Sequence, residues 1–202
     1  ELGYSVEWRV VNAALYGAAQ RRRRTFIFAY HNNTEYGQRI ASLSYENIIK
    51  QDGFMVKAFP INEMQMISST DIKTDIVNVS DNFSFGFENA GYMTNGKIYT
   101  AKIIESEEKP ITLGEMIVKD ADKKYYITSE KLPKWVYLKG AKKIPRKSAD
   151  GHEYVFSEGP IAFPDPLVKP SRTMLTSEST LNRSTHVVCD PYTGSLRLLT
   201  PV

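Results

Sequence analysis

Cysteine occurs once in the 202 residues, as Cys189, so no internal disulfide framework supports this chain. A lone thiol fits a reducing compartment, and the expected location is cytoplasmic. Histidine is almost as scarce. His31, His152 and His186 stand far apart and Cys189 is the single cysteine, which is too few ligands for a structural zinc, and no metal is expected. His186 and Cys189 are three apart in a strand-like stretch, so their side chains should face opposite ways and form no thiol–imidazole dyad. The expectation there is a half-buried thiol and a surface imidazole. Glycine-rich phosphate loops are missing, because Gly86, Gly91, Gly96 and Gly114 fit neither G-x-G-x-x-G nor G-x-x-x-x-G-K-[ST] spacing. No apolar run approaches the ~20 residues of a membrane span, and no repeat recurs at a fixed period. The chain opens Glu1-Leu2-Gly3 with no initiator Met and no signal-like segment, and it stops just after an apolar stretch. Both ends are therefore expected to be cut from something longer.

What is present suffices for a packed core: 42% of residues are hydrophobic and 24% charged. Net charge is only +3, yet the base is concentrated in two places. Residues 21 to 24 are consecutive arginines, and residues 131 to 147 carry Lys131, Lys134, Lys139, Lys142, Lys143, Arg146 and Lys147 with no acid among them. A basic run is either a solvated face or a phosphate-binding surface.

Alternation of Tyr4, Val6, Trp8 and Val10 with Ser5, Glu7 and Arg9 predicts a strand burying its apolar side. Residues 25 to 30 predict a second, more fully buried strand, returned antiparallel by the bend at 12 to 20. Residues 44 to 51 read as a helix capped by Ser44 and stopped by Gly53. Residues 72 to 79 and 97 to 104 read as strands, and Thr112 with Glu115 has the spacing of a capping box. A helix is expected over 130 to 138 with Ser129 as cap and Gly140 as stop. Residues 142 to 147 and 152 to 156 flank an Asp-Gly turn, which predicts a basic hairpin. The proline-rich stretch 159 to 171 can continue neither helix nor central ladder. Short strands at 172 to 176, 185 to 189 and 195 to 199 are expected after it.

Asn12-Ala13-Ala14-Leu15-Tyr16-Gly17-Ala18-Ala19-Gln20-Arg21-Arg22-Arg23-Arg24, followed by an apolar strand, resembles the Asn-x-x-x-Tyr-Gly-x-Pro-Gln-x-Arg-x-Arg block of DNA (cytosine-5) methyltransferases. A second block follows in the family's order: Pro170-Ser171-Arg172-Thr173, then Asn182-Arg183-Ser184-Thr185-His186, then Arg197-Leu198-Leu199-Thr200-Pro201. The stretch from Leu132-Pro133-Lys134-Trp135 to Phe163-Pro164-Asp165 is also similar to bacterial members. Ala19 stands where the family usually has proline. The family's glycine-rich cofactor site, Pro-Cys nucleophile and Glu-Asn-Val glutamate have no counterpart, and Cys189, which follows Val188, is not that nucleophile.

The resemblance implies the C-terminal target-recognition part of a bacterial restriction-modification enzyme, inactive alone. The intact enzyme would transfer a methyl group from S-adenosylmethionine, held by the absent N-terminal part, to C5 of a flipped cytosine in duplex DNA. The implied fold is α+β: mixed small sheets with short helices, plus a strand pair of a truncated α/β catalytic domain. The implied partition is 1–30 for the last catalytic strands, 31–170 for target recognition and 171–202 for the return toward the catalytic domain. Arg24 would stabilise charge at the cytosine O2, Arg22 would hold phosphate or the active-site loop, and Gln20 would order the turn. Lys139, Lys142, Lys143, Arg146, Lys147, Arg172 and Arg183 are the candidates for contact with DNA, with an internal salt-bridge network near Glu178 the equal alternative for Arg172 and Arg183. The implied partners are double-stranded DNA and the rest of the catalytic domain, with no membrane. A stand-alone DNA-binding or interaction module remains the alternative, and an RNA-binding module a third reading.

Overall fold

A computed structural model describes residues 2–72, 75–106 and 108–201. Backbone contacts divide the chain into two units, Glu1–Tyr16 with Arg22–Glu108, and Gly17–Arg21 with Lys109–Val202. The division falls after Glu108. Its cause is a sheet that β1 and β2 begin and later strands complete.

In the first unit β1 (Tyr4–Asn12) pairs antiparallel with β2 (Arg23–His31), Tyr4 opposite His31 and Asn12 opposite Arg23. β3 (Ser68–Asp71), β4 (Ala90–Thr94) and β5 (Lys97–Ala101) extend it to a five-stranded antiparallel sheet ordered β2-β1-β4-β5-β3. β1 and β2 are therefore one side of a larger sheet and not an isolated pair. Asn95 and Gly96 join β4 to β5 with φ of 48° and 75°, the left-handed pair that a two-residue hairpin turn requires. α1 (Glu35–Ala41) was not expected; Thr34 caps it by accepting a hydrogen bond from the Gly37 N–H at 3.1 Å. α2 (Tyr45–Asn47) starts at the expected Ser44 cap, runs into a π turn over Ile48–Asp52 and ends where the Gly53 N–H reaches the Ile48 carbonyl. Residues 76–79 of the expected strand at 72 to 79 belong instead to α3 (Ile76–Asn82), because the Asp75 carboxylate caps the Val77 N–H at 3.0 Å. Residues 73 and 74 of that expectation lie outside the described residues.

The face of β1 that is buried is the opposite of the one alternation predicts. Ser5, Glu7, Arg9 and Val11 point into the core built by Tyr30, Ile40, Ile48, Ile49, Tyr92 and Ile103, whereas Val6, Trp8 and Val10 stay half-exposed. The two charges are tolerated because each is hydrogen-bonded, Glu7 through one of its carboxylate oxygens. Glu7, 1% exposed, accepts from the Tyr36 hydroxyl at 3.1 Å and the Phe54 N–H at 3.2 Å. Arg9 donates to the carbonyls of Trp8, Ile49 and Phe59 at 2.9, 3.1 and 3.3 Å. β2, expected to be buried, is an edge strand with Ile27 66% exposed. Val6, Trp8, Val10, Ile27, Phe87 and Met93 consequently line a shallow apolar depression of about 480 Å³ on the open sheet face. Trp8 lies across Gly91, where a β-carbon would sit 1.8 Å from its ring, so only glycine fits there.

In the second unit the Thr112–Glu115 capping box forms as expected, with the Thr112 N–H donating to the Glu115 carboxylate at 2.7 Å. α4 (Leu132–Lys139) begins later than expected: Lys131 holds the cap position, Pro133 sits in the first turn and Ser129 caps nothing. β6 (Lys142–Lys147) and β7 (Glu153–Glu158) make the expected basic hairpin, and β8 (Val187–Cys189) pairs with β9 (Leu196–Leu198). Residues 172–176 are not a strand. Ser171 instead forms a parallel bridge with Gln20. The fold is thus mixed, with small antiparallel sheets and few helices, and among the described residues no helix is long and apolar enough to cross a membrane.

Candidate nucleic-acid interface

The two motif blocks meet within the second unit. The Ser171 N–H donates to the Ala19 carbonyl and the Arg21 N–H to the Ser171 carbonyl, both at 2.8 Å. The Thr173 hydroxyl closes the contact on the Arg21 carbonyl at 2.8 Å. Gln20 lines a mainly apolar cavity of about 450 Å³ with Leu113, Met116, Met174, Glu178 and Leu199. Arg22 and Arg24 belong to the first unit. The half-buried Arg22 accepts from the Ala13 N–H through its carbonyl, and Arg24 is exposed, opposite Val11, with its guanidinium on the Arg23 carbonyl at 2.7 Å.

Lys139, Arg172 and Arg183 are hydrogen-bonded within the second unit, the arrangement held open for the two arginines. Lys139 is 2% exposed, and its ammonium donates to the Arg183 carbonyl at 2.9 Å and to the Thr185 carbonyl. Burial, reinforced by the nearby Arg172 cation, brings the Lys139 ammonium down to about 8. Arg172 grips Asp165 with two hydrogen bonds of 2.7 and 3.1 Å and reaches the Ser184 carbonyl at 3.1 Å. Arg183 donates to the carbonyls of Leu138 and Gly140 at 2.6 and 3.0 Å and lies 3.6 Å from Glu158. These side chains organise α4, the hairpin base and the 159 to 187 segment, and are not free for a phosphate.

Two further buried networks have no counterpart in the sequence reading. Arg197 and Asp190, each 1% exposed at the side chain, pair at 2.6 Å, with the Tyr126 hydroxyl also on the carboxylate at 2.9 Å. Burial would raise the Asp190 carboxyl, but hydrogen bonds from the Tyr192 N–H, Tyr126 and Arg197 outweigh it and hold it at about 2. His186 is fully buried, not a surface imidazole. Its Nδ1 is 2.9 Å from Glu178, whose second oxygen accepts the His186 N–H at 2.7 Å. Cys189 is half-buried, with its thiol 3.5 Å from the Gly194 carbonyl.

Of the candidates for contact with DNA, the exposed ones lie on the β6–β7 ribbon. Lys143 and Arg146 are exposed, Arg146 with its guanidinium 4.1 Å over the Phe156 ring. Lys147 faces Glu153 at 3.7 Å in open solvent, a contact too exposed to hold it. Lys142 is partly enclosed and pairs with Glu158 at 3.2 Å. Beside them on α4, Trp135 packs in the core while Tyr137 stays exposed, with the Lys142 ammonium 5.0 Å from its ring. A six-residue ribbon of this kind is ~20 Å long, and a two-stranded ribbon is narrow enough for the DNA major groove.

Three glycines are closed off by the chain itself. A β-carbon on Gly37 or Gly53 would meet protein backbone oxygens at 2.6 and 2.4 Å, and one on Gly91 would meet the Trp8 ring, so these glycines serve the chain's own packing. Among the described residues no cluster of three or more His, Cys, Asp or Glu side chains is suited to a metal ion.

The C-5 cytosine-specific DNA methylase family matches residues 1–201. The type II methyltransferase M.Sau3AI of Staphylococcus aureus is 48% identical over 205 residues, a match that covers 100% of this chain and 49% of that protein. The chain therefore spans about half the length of this curated relative. No solved structure matches.

Proposed function

The chain belongs to the C-5 cytosine-specific DNA methylase family, and on that premise we propose that it is the part of such an enzyme that binds duplex DNA and selects the target sequence. The observation that carries this reading is the family match over nearly the whole chain, and the solvated basic ribbon supports it by supplying cations where a duplex can reach them. Residues 109–202 with 17–21 would carry recognition, through Lys143, Arg146 and Lys147. Lys142, bound to Glu158, would set the ribbon's base.

In the intact enzyme the methyl donor would be S-adenosylmethionine, bound outside this chain. The exposed Arg24 guanidinium would stand beside O2 of a flipped cytosine and stabilise the negative charge that grows there during attack on the ring. Arg22 would hold the adjoining loop or a phosphate, and Gln20 the turn. The open sheet face around Trp8 and Ile27 would be covered by the catalytic half, since an apolar face of this size is costly in water and the relative has as much sequence again. Action in the bacterial cytoplasm follows from the same reading.

The deciding experiment expresses the whole enzyme that contains this chain in a host lacking cytosine methylation and maps 5-methylcytosine base by base. Methylation at one short sequence is expected, with none from the 202-residue chain alone although that chain retards a duplex. Unmodified DNA from the whole enzyme would overturn the assignment.

A further inference from the structure

The register of the ribbon sorts its side chains into two faces. Lys142, Ile144 and Arg146 lie opposite Glu158, Phe156 and Tyr154. Only the base of that face is tied to its own unit, where Lys142 and Arg183 both hold Glu158; Arg146, over the Phe156 ring, stays exposed at the far end. The other face carries Lys143, Pro145 and Lys147 opposite Ser157, Val155 and Glu153, and every one of these six is exposed.

This outer face has an unusual centre. A solvated strand face is ordinarily polar, yet here Pro145 and Val155 form a cross-strand apolar pair, with Val155 59% exposed, between a lysine on either side. Proline has a fixed φ and no N–H to offer, so it stiffens the ribbon at that position and presents only carbon. If the flanking lysines meet phosphates, the pair between them meets base edges. Among the groups displayed in the major groove, one is apolar, the C5 methyl of thymine; the rest are hydrogen-bond donors and acceptors that a valine and a proline would desolvate without compensation.

We propose that Val155, braced by Pro145, reads thymine in the target duplex through its 5-methyl group, with Lys143 and Lys147 on the phosphates to either side. This rests on the reading of the chain as the duplex-recognition part. It adds an attractive contact for thymine and a penalty for bases that present a polar group at the same place.

The test removes the methyl from the DNA. A duplex selected from a randomised pool by the 202-residue chain is remade with deoxyuridine replacing thymine one position at a time, and affinities are measured for the wild type and Val155→Ala. One position should weaken wild-type binding about fourfold, the worth of one buried methyl, while Val155→Ala binds the thymine and uridine duplexes equally. The wild-type comparison leaves the protein untouched, so a folding defect in the variant cannot produce it. Val155 is exposed, and an unchanged urea midpoint verifies the variant's fold. A wild type indifferent to uridine everywhere, or a uridine penalty that persists undiminished in Val155→Ala, overturns the proposal while duplex recognition stands. Failure of the chain to retain any duplex overturns the recognition reading itself.

Discussion

Replacing Lys143, Arg146 and Lys147 together by alanine tests whether the ribbon carries the electrostatic part of DNA binding. None of the three is buried, and the Lys147–Glu153 contact at 3.7 Å is exposed at both ends, so the fold should survive. If each cation neutralises one phosphate, its loss lowers the slope of log affinity against log salt by about 0.9, and the triple variant loses about 2.7. Between about 50 and 200 mM salt this is a factor of about 3.5 for each contact and about 40 for all three. Fluorescence anisotropy of a labelled duplex at four salt concentrations resolves a change of that size. Lys142→Ala should change the slope less, because that ammonium already serves Glu158. Arg172→Ala and Arg183→Ala should show lower urea midpoints, since each leaves buried acceptors without donors. A triple variant with an unchanged slope would refute the assignment and return the basic run to a solvated face.

Asp190→Asn breaks a fully buried ion pair and should cost the second unit about 3–5 kcal/mol by urea denaturation. Because the folded state holds this carboxyl at about 2, its stabilisation is complete above the unfolded value near 4 and is lost as pH falls from about 4 to 2; the asparagine variant should lack that component of acid sensitivity. Lys139 has the same sign in a higher pH window. Between about 8 and 10.5 the unfolded chain binds the proton that the folded chain has released, so stability should climb with pH over that window, and Lys139→Met should abolish the climb in a matched set of urea midpoints. In the intact enzyme, Arg24→Ala should slow single-turnover methyl transfer by about 10² to 10³ while leaving duplex affinity nearly unchanged; equal rates would remove Arg24 from the chemistry.

Elements fixed by local chemistry were legible from sequence. The Ser44 cap, the Thr112–Glu115 box and the Asp-Gly hairpin each depend on residues within a few positions of one another, and all three form. Elements fixed by distant partners were not. Alternation in β1 shows a strand but not which side the core occupies, and Glu7 and Arg9 are buried because Tyr36, Phe54, Ile49 and Phe59 arrive from far along the chain to satisfy them. The valine-rich α3 reads as strand until Asp75 caps it. Candidate site residues divide the same way. Composition singles out the basic stretch, whereas the separation of Lys143 and Arg146 from Lys139 and Arg183 depends on which carbonyls lie within reach after folding.

The pairing of Ser171 with Ala19 and Arg21 has a temporal side. Thr173 and Arg21 are 152 residues apart, so the bend leaving β1 waits for its partner until the ribosome has added that much chain. At ~5–20 residues per second the wait is roughly 8 to 30 s, far longer than a hairpin needs to form. During that interval Gly17–Arg21 offers unsatisfied backbone groups beside an open edge strand, which is the situation that recruits chaperones or promotes mispairing. The yield of folded protein should therefore depend on elongation rate, with fast synthesis shortening the exposure.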